Sequence, residues 1–121
     1  MKPLRLAFLG TPDFAVPSLR ALHGAGHRIE AVVTQPDEPR GRGRHVEPPA
    51  VKTAALELGL LRVVQPEKFD ASVLPPSLDA AVVVAYGQIL PPGVLGLPRF
   101  GFVKVPASLL PRWRGAAPIA T

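Results

Sequence analysis

The sequence predicts an α/β fold, an open and mostly parallel sheet with helices on both faces. Apolar segments typical of buried parallel strands alternate with helix-like segments along the chain. The first strand, helix and strand fit within about 30 residues, which is the length of a βαβ unit. The chain has 121 residues, 47% of them apolar, which suffices for one domain with a buried core.

The βαβ unit begins at the N-terminus. Residues 4–9 are apolar nearly throughout and predict a buried strand at the centre of the sheet. Asp13 is expected to cap a helix that continues to about residue 25, because its carboxylate accepts from free N–H groups at a helix start. Residues 29–34 predict the second strand, adjacent to the first.

The middle of the chain combines a long loop with a second helix. Residues 35–49 contain four prolines, two glycines and three arginines, a composition that predicts a loop. Residues 50–58 predict a helix that ends at Gly59, and residues 61–64 predict a short strand.

The later strands complete the sheet and define its functional edge. Residues 79–85 predict a core strand, residues 88–95 a turn with a short helix, and residues 100–105 the last strand. Ligands of open α/β sheets bind beyond the carboxyl ends of the strands. This places the expected ligand-binding edge at residues 10–14, 34–37, 85–90 and 106–112.

Composition excludes several classes of protein. The absence of cysteine rules out disulfides, a thiol nucleophile and a cysteine metal site, and the histidines at 23, 27 and 45 lack ligand spacing. No metal is therefore expected. The N-terminus lacks the features of a signal peptide, and no apolar stretch approaches the 18 residues of a membrane span. We expect a cytoplasmic protein without a membrane partner.

The charge is basic and uneven. Fourteen Lys and Arg against nine Asp and Glu give a net charge of +5, and no carboxylate follows Asp79. This balance favours anionic partners, nucleic acid first among them, although free use of arginine by a GC-rich genome explains it equally well.

Three segments allow both a functional and a structural interpretation. Residues 10–14 fit a plain strand-to-helix turn better than a phosphate site. Spaced guanidinium groups in the segment from Arg40 to Arg44 suit phosphate contacts, and a solvated loop explains them equally. Residues 108–114 place two leucines, a tryptophan and two arginines in one loop, which suits a flat organic ligand or a loop packed on its own core.

Four segments together resemble the N-terminal part of the methionyl-tRNA formyltransferase family: FLGTPDFAVPSL, TQPDEPRGRG, VVVAYGQILP and SLLPRWRGAAPI. The resemblance covers essentially the whole chain. It implies a Rossmann-like domain that transfers formyl from 10-formyltetrahydrofolate to the amino group of methionyl initiator tRNA, as a monomer. It also implies that residues 1–121 are a partial N-terminal formyltransferase domain, cut before its end, without the family's C-terminal β-barrel domain.

The resemblance assigns roles to individual positions. The family's catalytic Asn and His positions hold Lys104 and Pro106, and its Asp position falls after Thr121, so this chain is expected to be inactive. The folate-binding positions are Ser108, Leu109, Leu110 and Pro111, together with Ile89 and Leu90. The tRNA-binding positions are Arg40, Arg42 and Arg44.

Two alternatives stay open at this point. Besides a formyltransferase domain that is active only if Lys104 and Pro106 are artefacts, one alternative is a catalytically dead fragment that still binds folate or tRNA. The other is the formyltransferase-like domain of another folate-dependent pathway, such as sugar-nucleotide formylation. The arginines at 40–44 and the Arg112-Trp113-Arg114 run favour the tRNA branch over the second alternative.

Overall fold

The computed structural model describes residues 2–40 and 45–106. Five parallel strands form one sheet in the order β5-β2-β1-β6-β7, and β3 and β4 form a separate antiparallel hairpin. The strands are β1 Arg5–Gly10, β2 Arg28–Val33, β3 Glu38–Arg40, β4 His45–Glu47, β5 Val63–Val64, β6 Ala80–Val84 and β7 Phe102–Lys104. The helices are α1 Val16–Gly24 and α2 Ala50–Glu57, with 3₁₀ helices at Asp13–Ala15, Ala71–Val73 and Pro92–Val94.

The strands β1 and β6 form the centre of the sheet. Every residue of β6 and all of β1 after Arg5 are buried, as the near-continuous apolar sequence predicts for strands covered on both faces. The register pairs Phe8 with Val82 on one side and with Val32 on the other. The predicted α/β class and the central position of the first strand are confirmed.

The two faces of the sheet are covered differently. Both α1 and α2 pack on the face that carries Leu6 and Phe8. The opposite face, which carries Ala7 and Leu9, is covered by residues 69–78 and 86–94 and their short 3₁₀ helices. Prolines are frequent in these covering segments, and each removes a backbone donor, so this layer forms single 3₁₀ turns. The short helix expected within residues 88–95 is the 3₁₀ helix Pro92–Val94.

Two local expectations are wrong. Asp13 does not cap α1: it opens the 3₁₀ helix before it, and Ala15 occupies the N-cap without a side-chain hydrogen bond. The segment 35–49 is not entirely loop, because it contains the hairpin β3–β4, in which Glu38 pairs with Glu47. Strands of three residues are too short to show an alternating pattern in the sequence.

Tyr86 gives a testable pH dependence of stability. Its ring is 2% exposed and meets Phe69 edge to face at 6.1 Å, and its hydroxyl has no hydrogen-bond partner among the described residues. Burial raises its pKa to about 12 from an ordinary value of 10.0. Between these two pH values the unfolded chain loses the phenolic proton while the folded chain keeps it, so stability falls as pH rises, by roughly 2–3 kcal/mol in total.

In the variant Tyr86→Phe, the free energy of unfolding should no longer show this decrease with pH. Urea unfolding of both proteins at about pH 9 and about pH 11.5 measures the difference. Since Tyr86 is the only tyrosine in the sequence, every other ionisable group is common to both proteins, and its contribution cancels in the comparison. At neutral pH the variant should be as stable as the parent or more so, because an unpaired buried hydroxyl is removed. Equal losses of stability in the two proteins would contradict the burial of this hydroxyl.

Candidate functional site

A cavity of about 670 Å³ opens at the carboxyl ends of β1, β2 and β6, where the base of the β3–β4 hairpin and the start of α2 face the sheet. We call this edge of the sheet the rim. The cavity is lined by Thr11, Pro12, Asp13, Gln35, Pro36, Glu38, Glu47, Pro48, Pro49, Ala50, Ala85, Tyr86 and Gly87. It therefore includes three of the four rim segments that the sequence predicts.

The turns after β1 and β6 are joined at the rim. Thr11 Oγ1 donates to the Tyr86 carbonyl oxygen at 2.7 Å. Ala85, the residue between β6 and Tyr86, has a φ of 55°, which is uncommon for a residue with a side chain. The chain thus leaves β6 in a sharp turn. The Tyr86 carbonyl in this turn accepts the hydrogen bond that fixes the turn after β1.

A glutamine side chain joins three segments beneath this turn. Gln88 Oε1 accepts from the Phe69 N–H at 2.7 Å, and Gln88 Nε2 donates to the Pro66 carbonyl at 3.1 Å and to Gln35 Oε1 at 2.7 Å. The turn after β6 is therefore bound to the segment after β2 and to the segment after β5. The sequence places Gln88 within the expected ligand-binding edge at residues 85–90, but this role of its side chain was not predicted.

A second polar group fixes the base of the hairpin. Gln65 Nε2 donates to Asp37 Oδ1 at 2.6 Å and to the Gln35 carbonyl at 3.1 Å, and Lys52 Nζ lies 3.2 Å from Asp37 Oδ1. The hydrogen bond from Gln65, and after it the contacts with Lys52, hold the pKa of Asp37 below its ordinary value. Asp37 therefore stays ionised at neutral pH and links the hairpin to α2.

The cavity lining is acidic, in contrast to the basic chain as a whole. Asp13, Glu38 and Glu47 line it, and the last two lie directly opposite each other in the hairpin register. The lining residues include no Lys or Arg. Within residues 2–40 and 45–106, no group of three or more His, Asp or Glu side chains is arranged to hold a metal ion. The lining favours ligand groups that are cationic or that donate hydrogen bonds.

The positions assigned to folate binding lie partly on the rim. Ile89 is 94% exposed just after Gln88, whereas Leu90 is half-buried and packs against the cluster under the sheet. These neighbours therefore differ in role: Ile89 is free to meet a ligand, and Leu90 anchors the turn. The other assigned positions, Ser108 to Pro111, lie outside the described residues.

The positions assigned to catalysis lie at the end of the last strand and just after it. Lys104 pairs with Val83 across the parallel strands β6 and β7, and the Val105 N–H donates to the Val83 carbonyl at 2.9 Å. Lys104 and Pro106 are both exposed. This register places them at the carboxyl end of β7, on the same rim as the turn that carries Ile89.

Of the positions assigned to tRNA binding, the structure describes one. Arg40 is the last residue of β3 and pairs with His45 at the start of β4. Arg42 and Arg44 lie outside the described residues. Among the described residues, none of the helices could span a membrane.

Residues 4–121 match the formyl transferase family. The chain belongs to this family. It is 55% identical over 121 residues to a methionyl-tRNA formyltransferase of Pelotomaculum thermopropionicum, covering 96% of this chain and 38% of the relative. It is 60% identical over 121 residues to the methionyl-tRNA formyltransferase of Halorhodospira halophila, covering 95% of this chain and 38% of that protein. The chain thus spans just over a third of the length of these curated relatives, and its parallel sheet is the Rossmann-like α/β fold expected of a formyltransferase domain.

Proposed function

We propose that this chain is the N-terminal part of a methionyl-tRNA formyltransferase catalytic domain in which the formyl-transfer step is disabled at Lys104 and Pro106. The donor would be 10-formyltetrahydrofolate and the acceptor the amino group of methionyl initiator tRNA. The observation that carries the proposal is the register of β6 and β7, which aligns Lys104 with Val83 at the rim.

Formyl transfer makes two demands on side chains. The amine nitrogen attacks the formyl carbon, an oxyanion forms, and the bond from that carbon to folate N10 breaks. The amine loses a proton and N10 gains one. The oxyanion needs a fixed donor, whose loss costs about 10²–10³ in rate. The proton transfers need an acid and base, whose loss costs about 10²–10⁴.

Lys104 does not supply the oxyanion donor, and Pro106 does not supply the group that transfers protons. Lys104 carries a cation on a long flexible stem and is exposed, so it does not present a fixed neutral donor. Pro106 has no side-chain group that donates or accepts a proton. Residues 80–121 contain no His, Asp, Glu or Asn that would take over. We therefore expect this chain to bind the two substrates without catalysing the transfer between them.

Binding of the formyl donor is expected to depend on Ile89. The variant Ile89→Asp should weaken binding of a stable 10-formyl folate analogue about tenfold or more, because it replaces an apolar contact with the pterin by a carboxylate that must lose its hydration when the folate binds. Isothermal titration calorimetry on the unaltered chain and the variant measures the change. Leu61→Asp is the matched control, since Leu61 is 88% exposed but precedes β5 at the opposite end of the sheet. Equal losses in both variants would show that Ile89 does not face the folate.

Binding of tRNA is expected to depend on Arg42. The variant Arg42→Ala should weaken binding of initiator tRNA severalfold and make the affinity less sensitive to salt, because one phosphate contact is lost. Filter binding across a range of salt concentrations measures both quantities. Arg20→Ala is the control, because Arg20 is exposed on α1 and pairs with Glu57. An affinity unchanged in Arg42→Ala would remove this arginine from the tRNA-binding surface.

A further inference from the structure

The orientation of the Gln35 side-chain amide follows from two backbone groups. The Phe69 N–H is a donor and the Pro66 carbonyl an acceptor, so Gln88 must direct its oxygen to the first and its nitrogen to the second. The Gln88 nitrogen then has one more proton, which it donates to Gln35 at 2.7 Å. Because this partner must be an acceptor, the atom of Gln35 that contacts Gln88 is Oε1. Gln35 Nε2 therefore faces the other way.

Gln35 Nε2 lies at the cavity wall with its donor capacity unused. It has no hydrogen-bond partner among residues 2–40 and 45–106, and both Gln35 and its neighbour Gly87 line the cavity. A Cβ atom at Gly87 would lie only 2.8 Å from Gln35 Nε2, and the φ of Gly87 is 101°. Because glycine has no Cβ atom, residue 87 leaves room for the Gln35 amide.

The surroundings of this amide restrict the ligand that it would meet. An N–H donor selects an acceptor oxygen, and the carboxylates of Asp13, Glu38 and Glu47 in the same lining disfavour a carboxylate or phosphate as the source of that oxygen. The same carboxylates favour a ligand with an ammonium group. A neutral carbonyl next to an ammonium group satisfies both conditions, and this combination defines α-amino esters and amides.

We propose that Gln35 is a ligand-binding residue of the cavity, that its Nε2 donates to the carbonyl oxygen of an α-amino ester or amide, and that Gln88 is the positioning residue that keeps this donor available. The assignment of the natural ligand rests on the proposed function, since the aminoacyl end of methionyl-tRNA is an α-amino ester. The acidic lining then receives the ammonium end and Gln35 the carbonyl, which orients the amino group at the rim.

Two small probes separate the carbonyl contact from the rest of the ligand. Methioninamide carries the ammonium group, the carbonyl and the thioether side chain, and 3-(methylthio)propylamine carries all but the carboxamide. Each is titrated into the ¹⁵N-labelled chain, and the side-chain amide signals of Gln35 are assigned by their loss in Gln35→Met. We expect methioninamide to shift these signals and bind more tightly than the amine, by about three- to tenfold, the range for one hydrogen bond.

The variants test the roles of the two glutamines. Gln35→Met should weaken methioninamide about three- to tenfold and leave the affinity of the amine unchanged. Gln88→Met should weaken methioninamide less, and the double variant should match Gln35→Met alone, because Gln88 acts only through Gln35. Arg20→Met is the control, since Arg20 lies on α1, pairs with Glu57 and does not line the cavity, so both affinities should stay unchanged.

Three results would overturn the proposal: Gln35 signals that do not move with methioninamide, equal affinity for the two probes, or equal losses for both probes in Gln35→Met. None of these results depends on Lys104 or Pro106. Formyl transfer by a chain with those two positions restored would then uphold the proposed function while the assignment of Gln35 fails. If the restored chain does not transfer formyl but still binds methioninamide selectively, the proposed function fails while the assignment of Gln35 stands.

Discussion

Gly10→Ala is expected to lower the free energy of unfolding by about 2 kcal/mol, in the range of substitutions that overpack a core. A Cβ atom at Gly10 would lie 2.8 Å from the Val84 carbonyl oxygen and 2.9 Å from a ring carbon of Phe8. The Ala15 Cβ would be 3.2 Å away. All three neighbours are fully buried, and one of them is backbone, so relief requires β1 and β6 to move apart.

The same shift should disturb the rim, because Gly10 is followed by Thr11, which bonds the Tyr86 carbonyl. Urea unfolding followed by circular dichroism measures the change in stability. Gly24→Ala is the matched control: Gly24 is the last residue of α1, and a Cβ there meets nothing within 4 Å. We expect the control to be neutral or slightly stabilising. A Gly10→Ala protein as stable as the control would mean that β1 and β6 are less closely packed than the structure shows.

The central strands were predictable from the sequence because burial on both faces leaves a continuous apolar run. The segments 4–9 and 79–85 show that pattern, and β1 and β6 form within them. The ends of both α-helices were also predictable, because a glycine just beyond a helix commonly ends it. In the structure Gly26 and Gly59 adopt the positive φ that such a helix end requires. These features depend on local chemistry, which a sequence displays directly.

The polar structure of the site was not predictable in the same way. Gln35 and Gln88 are 53 residues apart and meet only because β2 and β6 both flank β1. Each glutamine alone is an ordinary loop residue, and nothing in its neighbourhood in the sequence distinguishes it. The hairpin β3–β4 was missed for a related reason, since its strands are too short for periodicity and contain Pro39.

Restoring the two rim positions is expected to restore catalysis. In a chimera that continues this chain with the remainder of the Halorhodospira halophila relative, Lys104→Asn with Pro106→His should raise the rate of formyl transfer about 10³-fold or more. The asparagine amide supplies a neutral donor for the oxyanion, and the imidazole moves a proton near neutral pH. The asparagine would lie opposite Val83 at the end of β7, and the histidine two residues further along the chain.

Each single change is the control for the pair. Lys104→Asn alone leaves the proton transfer unassisted, and Pro106→His alone leaves the oxyanion without its donor. Groups that act together in one step are strongly non-additive, so we expect each single variant to gain about tenfold at most. A large gain from Lys104→Asn alone would show that Pro106 does not occupy the position of the proton-transfer group.

The most direct test of the account is the single-turnover rate of formyl-methionyl-tRNA formation, measured with saturating 10-formyltetrahydrofolate in the unrestored and the doubly restored chimera. Affinity for the folate analogue is measured on both proteins at the same time. The account predicts affinities equal within about twofold and rates that differ by about 10³-fold or more, because binding and catalysis use different residues of the rim. An unrestored chimera that transfers formyl at a rate near that of the restored one would contradict the assignment of Lys104 and Pro106 to the catalytic positions.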